Sequence, residues 1–372
     1  MEKVKLKDIC RLINGRAYKQ EELLDSGKYP VLRVGNFFSD KVFYYSDLEL
    51  EEDKYCDNGD LLFAWSASFG PKIWDGEKVI YHYHIWKMEL TDRVNKEFLF
   101  YYLFHLSERI KSEGHGGIMI HTTKAEMEER EFNLPTLEEQ IAISEILNKV
   151  MSVIDKRKEE LSVLDDLIKA RFVEMFGSIH ESTKYPYIAV KDLTDITSGG
   201  TPSRDKTEYW DNGTIPWVKT TELQNNVLID VDEHITEAGL AGSSAKLVPV
   251  GTILVAMYGQ GKTRGMTAYL GVEASTNQAC ACILPSDKVD SMFMWKYFEL
   301  SYDKLRSLAQ GAGQPNLNGN MIKNFQVLVP PIELQKEYVD FVHQINKSKV
   351  AVQKALEQTQ TLFDSLMQKY FG

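Results

Sequence analysis

Two stretches of the chain repeat apolar residues at alternating steps of three and four. The first runs Leu147, Val150, Ile154, Arg157, Leu161, Leu164, Ile168, Arg171 and Met175, and the second Val342, Ile345, Lys349, Val352, Leu356, Thr359, Phe363, Leu366 and Tyr370. That period is a coiled-coil seam, and helices with matched seams are expected to pack on each other. Each stretch follows a proline (Pro135, Pro331), opens on acidic residues, has no further Pro, and meets no Gly until Gly177 or Gly372. Those are the start and stop signals of one long helix, a rod of roughly 60 Å at about 1.5 Å per residue. An antiparallel pair would set Lys349 opposite Glu159 and Glu160, and Arg171 opposite Glu337, charged seam positions that fix register. Elsewhere short apolar runs such as Asp60 to Trp65 and Thr252 to Met257 are broken by Gly, Asn and Pro. They predict strands and turns, with helices over about Glu97 to Ser112 and Ser291 to Ser307.

The whole pattern occurs twice. LKDICRLING (Leu6 to Gly15) returns as VKDLTDITSG (Val190 to Gly199), YPVLRV at Tyr29 as IPWVKT at Ile215, and GDLLFAW at Gly59 as GTILVAM at Gly251. GHGGIMIH at Gly114 aligns with GAGQPNLN at Gly311, LPTLEEQ at Leu134 with VPPIELQ at Val329, and EMFG at Glu174 with KYFG at Lys369. The order never changes, which marks an internal duplication. The expected fold class is α+β: two globular domains, residues 1–135 and 178–330, each followed by a long helix, 136–177 and 331–372. The two helices pair antiparallel and hold the two domains apart.

Charge changes the picture of what such a molecule binds. The 372 residues carry 43 Lys+Arg against 54 Asp+Glu, a net charge of −11. The four segments contribute −5, −3, −3 and 0 in chain order. A bulk electrostatic grip on nucleic acid is therefore excluded, because that grip comes from cations neutralising phosphates; any DNA contact is local or shared with a partner. The cysteines (Cys10, Cys56, Cys280, Cys282) form no CxxC pair, so neither a zinc site nor a disulfide framework is expected. No apolar stretch approaches the ~20 residues of a membrane helix, and the chain reads as reduced, soluble and cytoplasmic.

Two copies of a globular domain, each followed by a P-x-x-E-Q-like helix start (Pro135 to Gln140; Pro330 to Gln335) and a long helix ending in Phe-Gly, resemble the specificity subunit of type I restriction-modification systems. So does the Gln314-Pro-Asn-Leu317 segment followed by Ile322-Lys-Asn324. The first half departs from that motif with Gly116-Gly-Ile-Met119. The resemblance implies two target recognition domains, each reading one half of an asymmetric, interrupted double-stranded DNA sequence. It also implies that the paired helices set the spacer and dock two modification subunits, which hold S-adenosylmethionine and methylate adenine. Restriction subunits using ATP and Mg2+ are optional further partners. The seam from Leu147 to Met175 would span roughly 42 Å, comparable with the about 34–36 Å of one DNA turn.

Residues able to touch DNA follow from polar loops. In the first domain they are Arg33, Asn36, Trp65, Ser66, Ser68, Lys72, the run Tyr81 to His84 with His82 and His84, His115, His121, Thr122 and Lys124. In the second they are Lys219, Thr220, Thr221, Tyr258, Gln260, Lys262, Thr263, Arg264, Asn277, Gln278, Gln314, Asn316 and Asn318. Lys and Arg suit phosphate or guanine, and Gln and Asn suit adenine. Ala256 to Thr263 differs from a phosphate-binding loop, G-x-x-x-x-G-K-S/T, only in having Ala256 for the first Gly, which leaves a nucleotide site at Gly261-Lys262-Thr263 as one alternative and a scaffold that never reads DNA as another. A strand rather than a helix is expected after Arg264, against the first of these. No methyl-donor loop, no Asn-Pro-Pro-aromatic or Asp-Pro-Pro-Tyr tetrapeptide and no nucleophile elbow is present, so no cofactor and no catalytic or metal-binding residue is expected in this chain.

Overall fold

A computed structural model describes residues 2–39, 41–66, 69–113, 122–259, 261–310 and 315–372. The chain divides into two compact units, Met1–Lys158 with Lys354–Gly372, and Glu159–Gln353. The division falls within both long helices, Leu137–Phe176 and Ile332–Phe371, so each unit holds a globular domain and one half of each helix.

In the first unit β2 (Cys10–Asn14), β9 (Ile85–Leu90), β6 (Leu61–Ala64) and β7 (Gly70–Ile73) form one sheet in that order. A second sheet runs β4 (Tyr44–Ser46), β3 (Tyr29–Leu32), β8 (Val79–Tyr81), β5 (Tyr55–Cys56). Strands β1 (Glu2–Lys5) and β10 (Glu131–Leu134) pair antiparallel just before the first long helix. All four residues of β6 are buried. Leu61 and Phe63 face a core with Leu12, Trp86 and Phe98, while Leu62 and Ala64 face a second core with Leu32, Phe37 and Tyr81. Burial on both faces is why this strand reads as an unbroken apolar run.

The second unit repeats the plan. Its main sheet is β12 (Ile196–Ser198), β19 (Cys280–Ile283), β16 (Ile253–Ala256), β17 (Thr267–Leu270), β14 (Asn226–Leu228), and its smaller one β15 (His234–Ile235), β13 (Ile215–Val218), β18 (Ser275–Thr276). Strands β11 (Tyr187–Ala189) and β20 (Gln326–Leu328) close it. The parallel pair β3/β8 recurs as β13/β18, and β16 again divides its side chains between two cores, Ile253 and Val255 against Leu254 and Ala256. Gly59 and Gly251, aligned in sequence, both turn with positive φ, +89° and +86°, a conformation open to glycine and strained for other residues.

The predicted domain helix at Glu97–Ser112 is present as Lys96–Glu113. Its counterpart, expected unbroken from Ser291 to Ser307, is two helices, Ser291–Leu300 and Tyr302–Ser307. Ser301 lies between them at φ −96°, ψ 11°, with its hydroxyl donating back to the Tyr297 carbonyl at 2.7 Å, the local competition that interrupts helices.

Every predicted seam position is shielded from solvent while most of its neighbours are exposed. In the first unit Leu147 and Ile154 pack with Phe363 and Met367, and Val150, Leu356 and Leu366 lie against that cluster. In the second, Ile168 and Phe172 pack with Tyr338 and Val342, with Ile345 alongside. Leu161 and Leu164 are half-buried and Val352 is buried. The order is antiparallel, and Arg171 meets Glu337 at 2.8 Å as that alignment anticipates. Lys349 is a correction, because it pairs with Asp165 rather than with Glu159 or Glu160. Helical side chains lean toward their own N-terminus, which on an antiparallel neighbour carries Lys349 toward higher residue numbers.

Both long helices are keyed to their domains by one buried glutamine. Gln140 accepts from the Asn95 amide at 2.7 Å and donates to the Pro135 carbonyl at 2.9 Å. Gln335 accepts from the Asp290 amide at 2.8 Å and donates to the Pro330 carbonyl at 2.7 Å. Asn95 and Asp290 in turn receive the Phe98 and Phe293 amides at the start of the domain helices. The far ends match as well: Phe371 lies 5.3 Å from Phe98, and Phe176 lies 5.4 Å from Phe293.

Candidate nucleic-acid interface

The loops that follow the buried central strands carry most of the predicted polar residues. In the first unit the chain leaves β6 at Trp65, leaves β8 into the tight turn His82-Tyr83-His84, and leaves β3 at Arg33. Backbone bonds tie these exits together. The His82 amide donates to the Leu32 carbonyl (2.9 Å), the Trp65 amide to the His84 carbonyl (3.1 Å) and the Thr122 amide to the Trp65 carbonyl (3.4 Å). Trp65 also gives its indole N–H to the Tyr83 carbonyl at 2.9 Å, and its ring lies 4.9 Å from His84. The two histidines are 4.8 Å apart. Burial pushes the His82 imidazole down to about 4, with His84 and Arg33 adding repulsion, and burial lowers His84 as well. Neutral at physiological pH, each ring offers one donor and one acceptor.

Other first-unit candidates are committed elsewhere. Asn36 donates to the Lys41 and Val42 carbonyls at 2.6 and 3.2 Å and pins its own loop. Lys72 sits on β7 beside Asp75 (3.6 Å) and the Trp74 ring, apart from this cluster. Lys124 donates to the Leu12 carbonyl at 2.7 Å and pairs with Glu128 at 3.6 Å. Ser66 and Thr122 are buried, whereas Arg33 is exposed with its guanidinium over Tyr44.

In the second unit Tyr258, Gly259 and Gly261 to Arg264 lie at the tip of the β16/β17 hairpin: the Gly265 amide donates to the Ala256 carbonyl, and the Ala256 amide to the Met266 carbonyl, both at 2.9 Å. The chain turns straight into a strand where a phosphate loop requires a helix N-terminus, so the nucleotide alternative lacks its structural context. Tyr258 and Lys262 are exposed, and Thr263 is half-buried. Arg264 donates to the Pro315 carbonyl, joining the hairpin to the segment that carries Asn316. Asn316 pairs by backbone with Gln310 (3.0 and 3.1 Å), and Asn318 caps the helix Gly319–Lys323. Lys219 is held by Glu233 at 3.0 Å and Asp232 at 3.4 Å, which neutralise it locally. Thr220 and Thr221 lie in the short turn Thr220–Glu222. Asn277 accepts the Ala279 amide at 3.1 Å, and Gln278, exposed, accepts the Thr201 hydroxyl. Ser68, His115, His121, Gln260 and Gln314 lie outside the described residues.

Three neighbours of these loops were not among the sequence candidates. Tyr18 lies 6.4 Å from His82, and Arg16 is held by Glu22 at 2.7 Å. Arg204 stacks 3.6 Å over Trp210 and pairs with Glu233 at 2.6 Å. Arg16 and Tyr18 directly after Gly15 were a sequence signal for the first pair, whereas Arg204 stands five positions from the nearest aromatic residue and carried no such signal. The four cysteines are buried and free. Among the described residues no group of three His, Cys, Asp or Glu could hold a metal ion, and no helix is long and apolar enough to cross a membrane.

A duplicated α+β domain with one long helix per copy and polar loops beyond its central strands defines a class. The family model for the type I restriction modification DNA specificity domain matches residues 1–164 and again 182–359, and the chain belongs to that family. The EcoR124I/EcoR124II specificity subunit of Escherichia coli is 26% identical over 147 residues, 39% of this chain and 36% of that one. The MjaIX specificity subunit of Methanocaldococcus jannaschii is 29% identical over 156 residues, 40% and 34%. The matched stretch spans about a third of the length of each of those two relatives. The MjaVIII specificity subunit of the same organism is 24% identical over 395 residues, 97% of this chain and 91% of that one. The crystal structure of the type I restriction-modification S subunit from M. genitalium has the same fold, with a TM-score of 0.59 at 16% identity over 100% of this chain and 96% of that one.

Proposed function

We propose that this chain is the DNA-reading subunit of a type I restriction-modification complex, each unit reading one half of an asymmetric bipartite target. The observation that carries the proposal is the frame built twice, with the family model matching once per half. One reading unit used twice suits a target with two separated parts. The long helices, each shared between the units, serve as the spacer element and as the docking surface for two modification subunits. Large apolar side chains left exposed on the first long helix, Ile146, Val153, Val163 and Leu167 among them, are available to such partners. S-adenosylmethionine and the methylation of adenine belong to the modification subunits; ATP and Mg2+ belong to restriction subunits where these join. This chain contributes address rather than chemistry.

The test is single-molecule methylation mapping in cells that carry the chain with its modification subunits. Exchanging residues 1–135 for the corresponding domain of another system is expected to change one half of the methylated motif and to spare the other. An unchanged motif would sink the proposal.

A further inference from the structure

The turn His82-Tyr83-His84 has a twin that shares no letter with it. In the first unit the His82 amide donates to the Leu32 carbonyl at the end of β3, the Ile85 amide closes the turn on the His82 carbonyl, and the Trp65 amide after β6 donates to the His84 carbonyl. In the second the Asn277 amide donates to the Val218 carbonyl at the end of β13 (3.1 Å), and the Cys280 amide closes on the Asn277 carbonyl (3.2 Å). The Met257 amide after β16 donates to the Ala279 carbonyl (2.9 Å). Arg16 and Gly200 complete the match, donating their amides to the Tyr81 and Thr276 carbonyls. The glycines before them have no room for a side chain: a Cβ on Gly15 would lie 2.2 Å from the Tyr81 carbonyl oxygen, and one on Gly199 would lie 1.9 Å from that of Thr276. Backbone and glycine therefore build most of the turn; Asn277 adds its side-chain oxygen, which accepts the Ala279 amide at 3.1 Å, and the apex side chains Tyr83 and Gln278 are free of that task.

Those side chains differ in chemistry. At the apex Tyr83 is 37% exposed, with His84 3.9 Å and His82 4.5 Å away, so its ring stands on an aromatic bed. The matching apex, Gln278, presents an amide whose oxygen accepts from Thr201. A fixed frame that exchanges an aromatic apex for an amide apex is suited to reading different bases, apolar contact with a base or thymine methyl by the ring and paired hydrogen bonds to adenine by the amide.

We propose that this turn is the base-reading element of each unit, with Tyr83 and Gln278 as its specificity-determining residues. The proposal rests on the DNA-reading function above and adds where the reading is done. The full chain is expressed with its modification subunits in a host free of adenine methylation, and methylated sites are mapped for the wild type and for Tyr83→Gln, Tyr83→Phe and Gln278→Ala. Gln278→Ala is expected to relax an A·T position in one half-site only, lowering discrimination there about 10- to 100-fold. Tyr83→Gln is expected to alter the other half-site alone, and Tyr83→Phe to keep the motif. Melting temperatures should be unchanged, because neither the Tyr83 nor the Gln278 side chain makes the hydrogen bonds that close the turn. A motif unaltered by both Tyr83→Gln and Gln278→Ala overturns the assignment, as does a uniform loss at all sites with the motif intact. A wild type that methylates no bipartite motif removes the DNA-reading function itself.

Discussion

His82, in the turn after β8, and Gln140, at a helix start, show what single residues contribute to stability. Because the folded His82 keeps a pKa of about 4 against an unfolded 6.5, the unfolded chain binds the extra proton between those values. Stability from this group is therefore complete above about pH 6.5 and is lost as pH falls toward 4. Arg33 and His84 face the ring and strengthen the effect. In urea titrations from pH 7 to 5, His82→Asn is expected to flatten the pH slope by less than one proton, under about 1.4 kcal/mol per pH unit; the ring's partial exposure reduces it further. Gln140 is buried and satisfies the Asn95 amide and the Pro135 and Arg93 carbonyls. Gln140→Leu should cost roughly 1–3 kcal/mol by leaving those groups unpaired, read as a lower urea midpoint of the full chain. The P-x-x-E-Q pattern flagged this residue from sequence, but not its work, because its partners Arg93 and Asn95 lie more than forty positions away.

Among elements, the long helices were legible because a period of three and four survives any tertiary context that buries one stripe. Phe363 is fully buried on the seam while its neighbour Leu362 is 51% exposed. Phe363→Ala is expected to cost about 3–5 kcal/mol and Leu362→Ala within about 0.5 kcal/mol, a contrast that thermal melting of the two variants checks. The partner of Lys349 was less legible, since the lean and reach of a lysine decide among Glu159, Glu160 and Asp165. Strand existence could be read from runs such as Leu61 to Ala64, but strand order could not. The pairing of β3 with β8, and of β13 with β18, depends on contacts distant in sequence. The order of the repeat sets the two turns in equivalent loops, but it does not show that they share a geometry. His-Tyr-His and Asn-Gln-Ala share no residue, and only the backbone bonds show that they are the same device.

At the scale of the molecule, the net charge of −11 agrees with a surface on which several candidate cations are already paired, Lys219 with Glu233 and Lys124 with Glu128 among them. Each phosphate neutralised steepens the salt dependence of binding. The isolated chain should therefore bind a duplex carrying its target weakly, losing roughly tenfold between 50 and 200 mM salt, as about two phosphate contacts would. The complex with modification subunits should bind tighter and lose far more, which fluorescence anisotropy at the two salt concentrations measures. The duplicated turn has a consequence for diversity. Since Gly15 and Gly199 with their backbone partners set the geometry, and Tyr83 or Gln278 merely occupies it, the letters can change without refolding the frame. On the DNA-reading function proposed above, a pool of m such heads, drawn independently for the two positions, would give m × m ordered pairs, so a short stock of domains would generate a large vocabulary of addresses by shuffling whole segments.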